Sequence, residues 1–408
     1  MNARTRPENT RTGTRAIRLV VLIAAAALQL VAPLPPAVAS AGAAGSTGAA
    51  PKAGDLVSAT PMTAYLLPGV PMPAKAWRIA YTSRTATGGP TQVSGTVFVP
   101  RTPWTGPGPR PLIGLAPGTQ GLADRCAPSR QWAAGTEYES AVVSQALSRG
   151  WAVAATDYQG LGTPGDHPYV VGRALGKNVL DALRAARNLP AAGLDRRGPL
   201  AVYGFSEGGG AAAWALQLQP AYAPDLPLAA GAVGGVATDL VQLMHYHEDG
   251  PFAFLLLYGA IGFNTAYPEL DLQHYLTAAG VKTVAAMRSS CIPDAIAQGL
   301  LMDKRTSTYV TPNPLTTRAW LARLHENDLG YLPPHPPVLI GGSQLDEIFP
   351  YEQETELYQR WCARGVNARL ADLPVPEHLV NGVAFSGPGL TFIADRLAGK
   401  PLPRAKDC

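Results

Sequence analysis

Charge is scarce in this chain of 408 residues: Asp, Glu, Lys and Arg make up 15% of it, against 47% for hydrophobic residues. That balance excludes a solvated, disordered protein and leaves material for a sizeable core. The formal net charge of +4 sits at one end. It comes from 33 basic and 29 acidic residues, and in the first 18 positions Arg4, Arg6, Arg11, Arg15 and Arg18 face only Glu8, so 28 of each sign follow. A near-neutral remainder offers no footprint for nucleic acid, and no such partner is expected. Cysteine is scarce too. The four (Cys126, Cys291, Cys362 and Cys408) contain no C-x-x-C pair, which argues against a structural zinc site. Of seven histidines only His245 and His247 are close neighbours. Two such ligands without a third make a poor metal site, so neither metal nor cofactor is expected. His167, His274, His325 and His335 read as surface or loop residues.

The basic stretch leads into an apolar run over 19–34, broken by Gln29 and Pro33, and then into Ala37-Val38-Ala39 with Ser40 next. Basic, apolar and small-x-small regions in that order are the pattern of a secretory signal peptide. The run is also shorter than the ~20 residues of a spanning helix. Residues 1–39 are therefore expected to be removed on export, giving an extracellular protein. With no adjacent arginine pair, the general secretory route is favoured over the twin-arginine one. In an exported chain four cysteines read as two disulfides, for which three pairings are open. Residues 40–55, rich in Ala, Gly and Ser at their start, read as a flexible lead-in to a domain spanning 56–408.

Within that domain, residues 77–82 and 92–99 flank Thr87-Gly88-Gly89-Pro90 and form a hairpin. Apolar runs at 111–116, 151–156 and 200–203 read as buried strands, and the stretches 137–148, 178–188 and 209–219 as helices between and after them. This alternation predicts an α/β fold with a mostly parallel central sheet covered on both faces. It lapses over about 240–330, where 252–261 (FAFLLLYGAI) and helix-like stretches at 272–279 and 281–287 suggest an inserted helical cap. It resumes with a strand at 337–340, a helix at 352–364, a strand at 367–373 and a last helix at 391–397. The segment 252–261 fits either an acyl-chain tunnel with lipid contact or a helix buried against the core.

Gly204-Phe205-Ser206-Glu207-Gly208 matches G-x-S-x-G between the strand at 200–203 and the helix at 209–219. That context makes Ser206 the candidate nucleophile on a strand-to-helix turn, since only glycines fit the backbone crowding around it. On such a scaffold the acid and the histidine follow the serine in that order. The strand at 337–340 ends in Gly341-Gly342-Ser343-Gln344-Leu345-Asp346-Glu347, and Asp346 is the candidate acid with Glu347 as the alternative. His378 is the histidine that lies beyond it, in the loop after the strand at 367–373, and is the candidate base. The backbone N–H of Glu207 is one expected oxyanion donor. The second is expected in Pro117-Gly118-Thr119-Gln120-Gly121, from Gln120 with Thr119 and Gly121 as alternatives.

Together these residues resemble the secretory lipase family, an α/β-hydrolase family. The matching segments are Gly118-Thr119-Gln120-Gly121, Cys126-Ala127-Pro128-Ser129, Asp157-Tyr158-Gln159-Gly160-Leu161-Gly162, 203–208, Leu345-Asp346-Glu347, Trp361-Cys362, Glu377-His378 and Cys408. The resemblance implies a Ser206–Asp346–His378 triad, disulfides Cys126–Cys291 and Cys362–Cys408, and a helical cap over about 235–325. In one respect the chain departs from the family's fungal prototype, which carries an acidic residue in the oxyanion loop. The function expected is ester hydrolysis through an acyl-enzyme, on acylglycerols or related lipid esters, by a monomer whose cap makes transient contact with a lipid interface. An acyltransferase or peptidase would use the same triad, and a non-catalytic binding protein would not need it.

Overall fold

The computed structural model describes residues 51–405 and 408. The expected signal peptide and most of the lead-in lie outside the described residues. Residues 51–55 are tied in rather than loose: Gly54 donates to the Thr82 carbonyl, and Thr82 donates to that of Asp55. Residues 51–55 thus belong to the same compact unit as the domain expected to start at 56.

Among the described residues are eleven strands, twelve α-helices and five short 3-10 helices. The strands are β1 (Leu56–Met62), β2 (Tyr65–Leu67), β3 (Val70–Pro71), β4 (Ala74–Arg84), β5 (Pro90–Pro100), β6 (Leu112–Ala116), β7 (Ala152–Tyr158), β8 (Leu200–Phe205), β9 (Leu228–Gly234), β10 (Val338–Gly342) and β11 (Ala368–Asp372). The helices flanking the sheet are α1 (Pro128–Ala134), α2 (Ser140–Ser148), α3 (Gly172–Arg187) and α4 (Glu207–Tyr222). Between β9 and β10 come α5 (Leu240–His247), α6 (Phe254–Ala266), α7 (Leu272–Tyr275), α8 (Ala278–Arg288), α9 (Ile292–Leu301) and α10 (Arg318–His325). After β10 come α11 (Tyr351–Cys362) and α12 (His378–Leu397).

Nine strands form one sheet in the order β1-β4-β5-β7-β6-β8-β9-β10-β11. Its β1, β4 and β5 side is antiparallel, and the run from β7 to β11 is parallel. This is the expected α/β sheet. From β6 the chain goes to β7 on one side and returns to β8 on the other. The carboxyl ends of β6 and β8 therefore flank a topological switch point, where such sheets open a crevice. One face of the sheet packs on Leu175, Leu183, Trp214 and Leu216 of α3 and α4 and on Trp361 of α11. The other packs on Val143 of α2 and on Phe385, Leu390 and Ile393 of α12.

A third apolar cluster joins the cap to the rest of the domain: Phe254, Leu257, Tyr258 and Ile261 of α6 are buried in it with Val171 and Ala174 on one side and Trp320 and Leu324 on the other. The segment 252–261 is thus chiefly a packed core helix. Strand β9 (LAAGAVG) does not appear in the sequence reading, because its Ala and Gly lack the β-branched signature. Helix α12 begins at His378 rather than near Thr391. Gly382, Gly387, Pro388 and Gly389 hide it locally, and burial of its inner face sustains it.

Candidate active site

Ser206 follows β8 and precedes α4 with φ 63° and ψ −130°, a conformation rare outside glycine. The turn explains its glycines. A Cβ on Gly204 would strike the Gly208 carbonyl, and one on Gly208 would strike that of Ala116 at the end of β6. The end of β6, which leads into the loop at 117–121, and the turn at Ser206 therefore touch through backbone. Glu207 is the first residue of α4, so the helix leaves its N–H without an internal acceptor.

His378 Nε2 lies 2.9 Å from Ser206 Oγ, and its Nδ1 lies 2.9 Å from Asp346 Oδ2. The imidazole packs between Phe205 and Phe349, with ring centroids 5.0 and 5.3 Å away. Asp346 also accepts the N–H groups of Ile348 and Phe349 on Oδ1 and the Asn381 amide on Oδ2, each at 2.9 Å. Burial alone would raise its pKa, but the hydrogen bond and charge of His378 together with these donors hold it below the ordinary Asp value. The alternative acid, Glu347, instead accepts the backbone N–H of His378 at 3.1 Å. Where the sequence suggested a loop histidine, His378 is the first residue of α12, held there by Glu377, whose carboxylate accepts the Val380 N–H. The structure thus brings Ser206, His378 and Asp346 together at the carboxyl ends of β8, β10 and β11.

Several neighbours escaped the sequence reading. His167 lies in a loop, as one of the expected alternatives, but is fully buried there, with Nδ1 2.9 Å from the Gln159 carbonyl and Nε2 2.7 Å from Glu207 Oε1. Residues 137–139 precede α2 instead of starting it, and turn two glutamates inward beneath the loop at 117–121 that is expected to supply an oxyanion donor. Glu139 Oε2 accepts the Gly118 N–H at 2.7 Å, Glu137 Oε1 accepts the Gln120 amide at 3.1 Å, and Tyr138 donates to the Thr119 carbonyl at 3.0 Å. Asp157 accepts the Ser129 N–H and the hydroxyls of Ser129 and Ser94, while the Tyr158 hydroxyl donates to the Pro117 carbonyl at 2.8 Å. Burial, reinforced by the charge of Glu207, pushes the Glu139 carboxyl up to about 8 against an ordinary 4.5. A raised acid pKa means the folded state holds the proton more tightly. Its contribution to stability is full below pH 4.5 and is lost as pH rises through about 8. Glu139→Gln should flatten that part of the stability curve in melts from pH 5 to 9. Glu139→Ala, which removes the acceptor for Gly118, should lower kcat by roughly 10–100-fold with little change in KM.

The disulfides are Cys126–Cys291 and Cys362–Cys408. The first ties the oxyanion side to the cap beside a short pairing in which Ile292 donates to the Gln120 carbonyl and Leu122 to that of Ser290. It closes a separation of 165 residues. Cys126→Ser with Cys291→Ser is expected to cost about 3–5 kcal/mol in chemical denaturation, the order for a long loop. The pair His245 and His247 does not converge: His247 Nε2 meets the Ile348 carbonyl and His245 Nδ1 meets Glu248. Beside Ser206 there is a cavity of only about 20 Å³, lined by Val170, Leu175, Trp214, Leu240 and Phe349 among others. A larger one of about 510 Å³ lies by Lys52, Arg187 and Tyr222, at the far end of α4 from Ser206, and holds no candidate nucleophile.

An α/β-hydrolase sheet with serine, histidine and aspartate in hydrogen-bonded series on its carboxyl edge defines the class: a serine hydrolase. The chain belongs to the secretory lipase family, whose model matches residues 127–404. It is 29% identical over 342 residues to a secreted triacylglycerol lipase of Malassezia globosa, covering 80% of this chain and 73% of that protein. It is 28% identical over 347 residues to a probable inactive lipase of Mycobacterium tuberculosis, covering 82% and 76%. Among solved structures, Candida antarctica lipase A in its closed state superposes with a TM-score of 0.75 at 23% identity, covering 87% of this chain and 85% of that one. A rice cell wall degrading esterase from Xanthomonas oryzae gives 0.70 at 20% identity, covering 85% and 98%. At such identities the structural likeness speaks to fold alone.

Proposed function

We propose that this chain is exported and hydrolyses lipid esters, acylglycerols among them, through an acyl-enzyme on Ser206. The observation that carries the reading is the His378 ring, bonded to Ser206 through one nitrogen and to Asp346 through the other. Ser206 Oγ attacks the ester carbonyl while His378 Nε2 takes its proton. The oxyanion formed is met by the N–H groups of Glu207 and, in this proposal, Gln120. Collapse breaks the C–O bond, and the alcohol leaves with the proton from His378. Water then gives a proton to His378 and attacks the acyl-enzyme. The carboxylic acid departs, and Ser206 recovers its proton.

The cavity of about 20 Å³ beside Ser206 holds roughly one water and no acyl chain, and in this proposal the substrate is admitted by displacement of the cap, of which Leu240 lines that cavity. Contact of the cap itself with lipid would involve exposed apolar residues such as Leu300 and Leu301 at the end of α9, Val281 of α8 and Tyr246 of α5, since Phe254, Leu257, Tyr258 and Ile261 of α6 are buried. Export rests on the amino-terminal pattern and on two disulfides. The test is labelling of the folded protein by a fluorophosphonate with peptide mapping, beside hydrolysis of p-nitrophenyl esters of graded chain length and of peptide amides. Label on Ser206 with ester turnover is expected. A folded protein without that label overturns the proposal, and preferential cleavage of amides makes it a peptidase.

A further inference from the structure

Beyond His378, helix α12 carries no charged side chain over 379–394; the next is Asp395. The face that packs inward is buried through His378, Asn381, Phe385, Leu390 and Ile393. The opposite face of a helix on a water-exposed surface ordinarily carries charge. Here it opens with Leu379, Val380 and Val383, which are 54%, 47% and 75% exposed. Leu345, 60% exposed, adjoins them, since its carbonyl accepts the N–H of Glu377 just before the helix. The acids nearby are turned to the backbone: Glu377 accepts the Val380 N–H and Glu347 that of His378. The result is an apolar, uncharged patch that starts one residue past the histidine touching Ser206 and one residue before Asp346.

We infer that this patch of Leu345, Leu379, Val380 and Val383 docks the protein on the surface of an uncharged ester-lipid aggregate. The inference rests on the ester-hydrolase reading above. Charge selects the occupant, because the patch contains no Lys or Arg to draw it to anionic headgroups. Continuity selects the function: docking there brings the rim that holds Asp346 and His378 against the lipid. The apolar exposure is carried by the catalytic domain, so docking does not depend on where the cap stands.

The test is co-flotation with a triolein emulsion of the full chain, made in a Ser206→Ala background so that the lipid stays intact. Val383→Glu is expected to lower the bound fraction about tenfold, as for moving a charge into an apolar interface. Val383→Ser should give a smaller loss and guards against a folding defect of the charged variant. With Ser206 restored, Val383→Glu should hydrolyse dissolved p-nitrophenyl butyrate with kcat/KM within about twofold of the parent. Unchanged flotation of Val383→Glu overturns the inference. So does a loss confined to Leu301→Glu on the cap, tighter binding to phosphatidylglycerol vesicles than to the emulsion, or a dimer in sedimentation that Val383→Glu dissolves. A chain that floats but cleaves no ester retires the hydrolase reading. One that cleaves p-nitrophenyl butyrate but does not float retires only the docking face.

Discussion

Ser206→Ala is expected to lower kcat for a p-nitrophenyl ester by about 10⁵-fold or more, with KM nearly unchanged. Alanine leaves the backbone turn and the Glu207 N–H in place and removes only the atom that forms the acyl-enzyme. His378→Ala should cost a similar factor, because an unassisted hydroxyl at neutral pH is a weak nucleophile. Since the two side chains act in one step, the double variant should be no slower than either single one, as single-turnover rates would reveal. Losses that multiply in the double variant would mean that Ser206 and His378 work independently, against the 2.9 Å contact between them.

Asp346→Asn is the next largest effect, about 10⁴-fold in kcat. Asp346 accepts from four donors: two backbone N–H groups, the Asn381 amide and His378 Nδ1. A carboxylate satisfies all four, whereas an amide in either orientation sets an NH₂ group against at least one of them. The imidazole then favours the tautomer with its proton on Nε2, which cannot accept from Ser206. Fold and KM should change little, because the side chains are isosteric. The matching control is Glu347→Gln, expected to cost no more than about tenfold, because Glu347 meets the backbone of His378 and not its ring. Equal losses in the two variants would show that the acid assignment is wrong. The depressed pKa of Asp346 adds a sign to the pH dependence. Its contribution to stability is present above the ordinary Asp value and is lost as pH falls through the lower folded-state value.

The relative described as a probable inactive lipase has a consequence for such experiments. Family membership does not by itself settle activity, so the decisive readouts are those on Ser206, His378 and Asp346. The buried acids near the site give a second level of control. Glu137 and Glu139 brace the loop expected to supply an oxyanion donor, and His167 braces Glu207, the residue expected to supply the other.

Much was legible in the sequence because its signals are local. The nucleophile turn is a steric motif five residues long, and the strand before it and the helix after it are apolar patterns a few residues wide. The order of serine, acid and histidine follows from a chain that returns to the same edge of a parallel sheet. Only the tertiary structure shows that Asp346 meets the His378 ring and Glu347 its backbone, because adjacent carboxylates differ in direction and not in sequence signal. It alone showed the buried His167–Glu207 pair and the glutamates under Gly118, since a charged side chain gives no local sign that it will be buried among partners brought from distant strands. It also turned residues 252–261 inward and the first turns of α12 outward. An apolar run says that a segment seeks shelter from water, but which elements are left to shelter it is settled by how the rest of the chain packs.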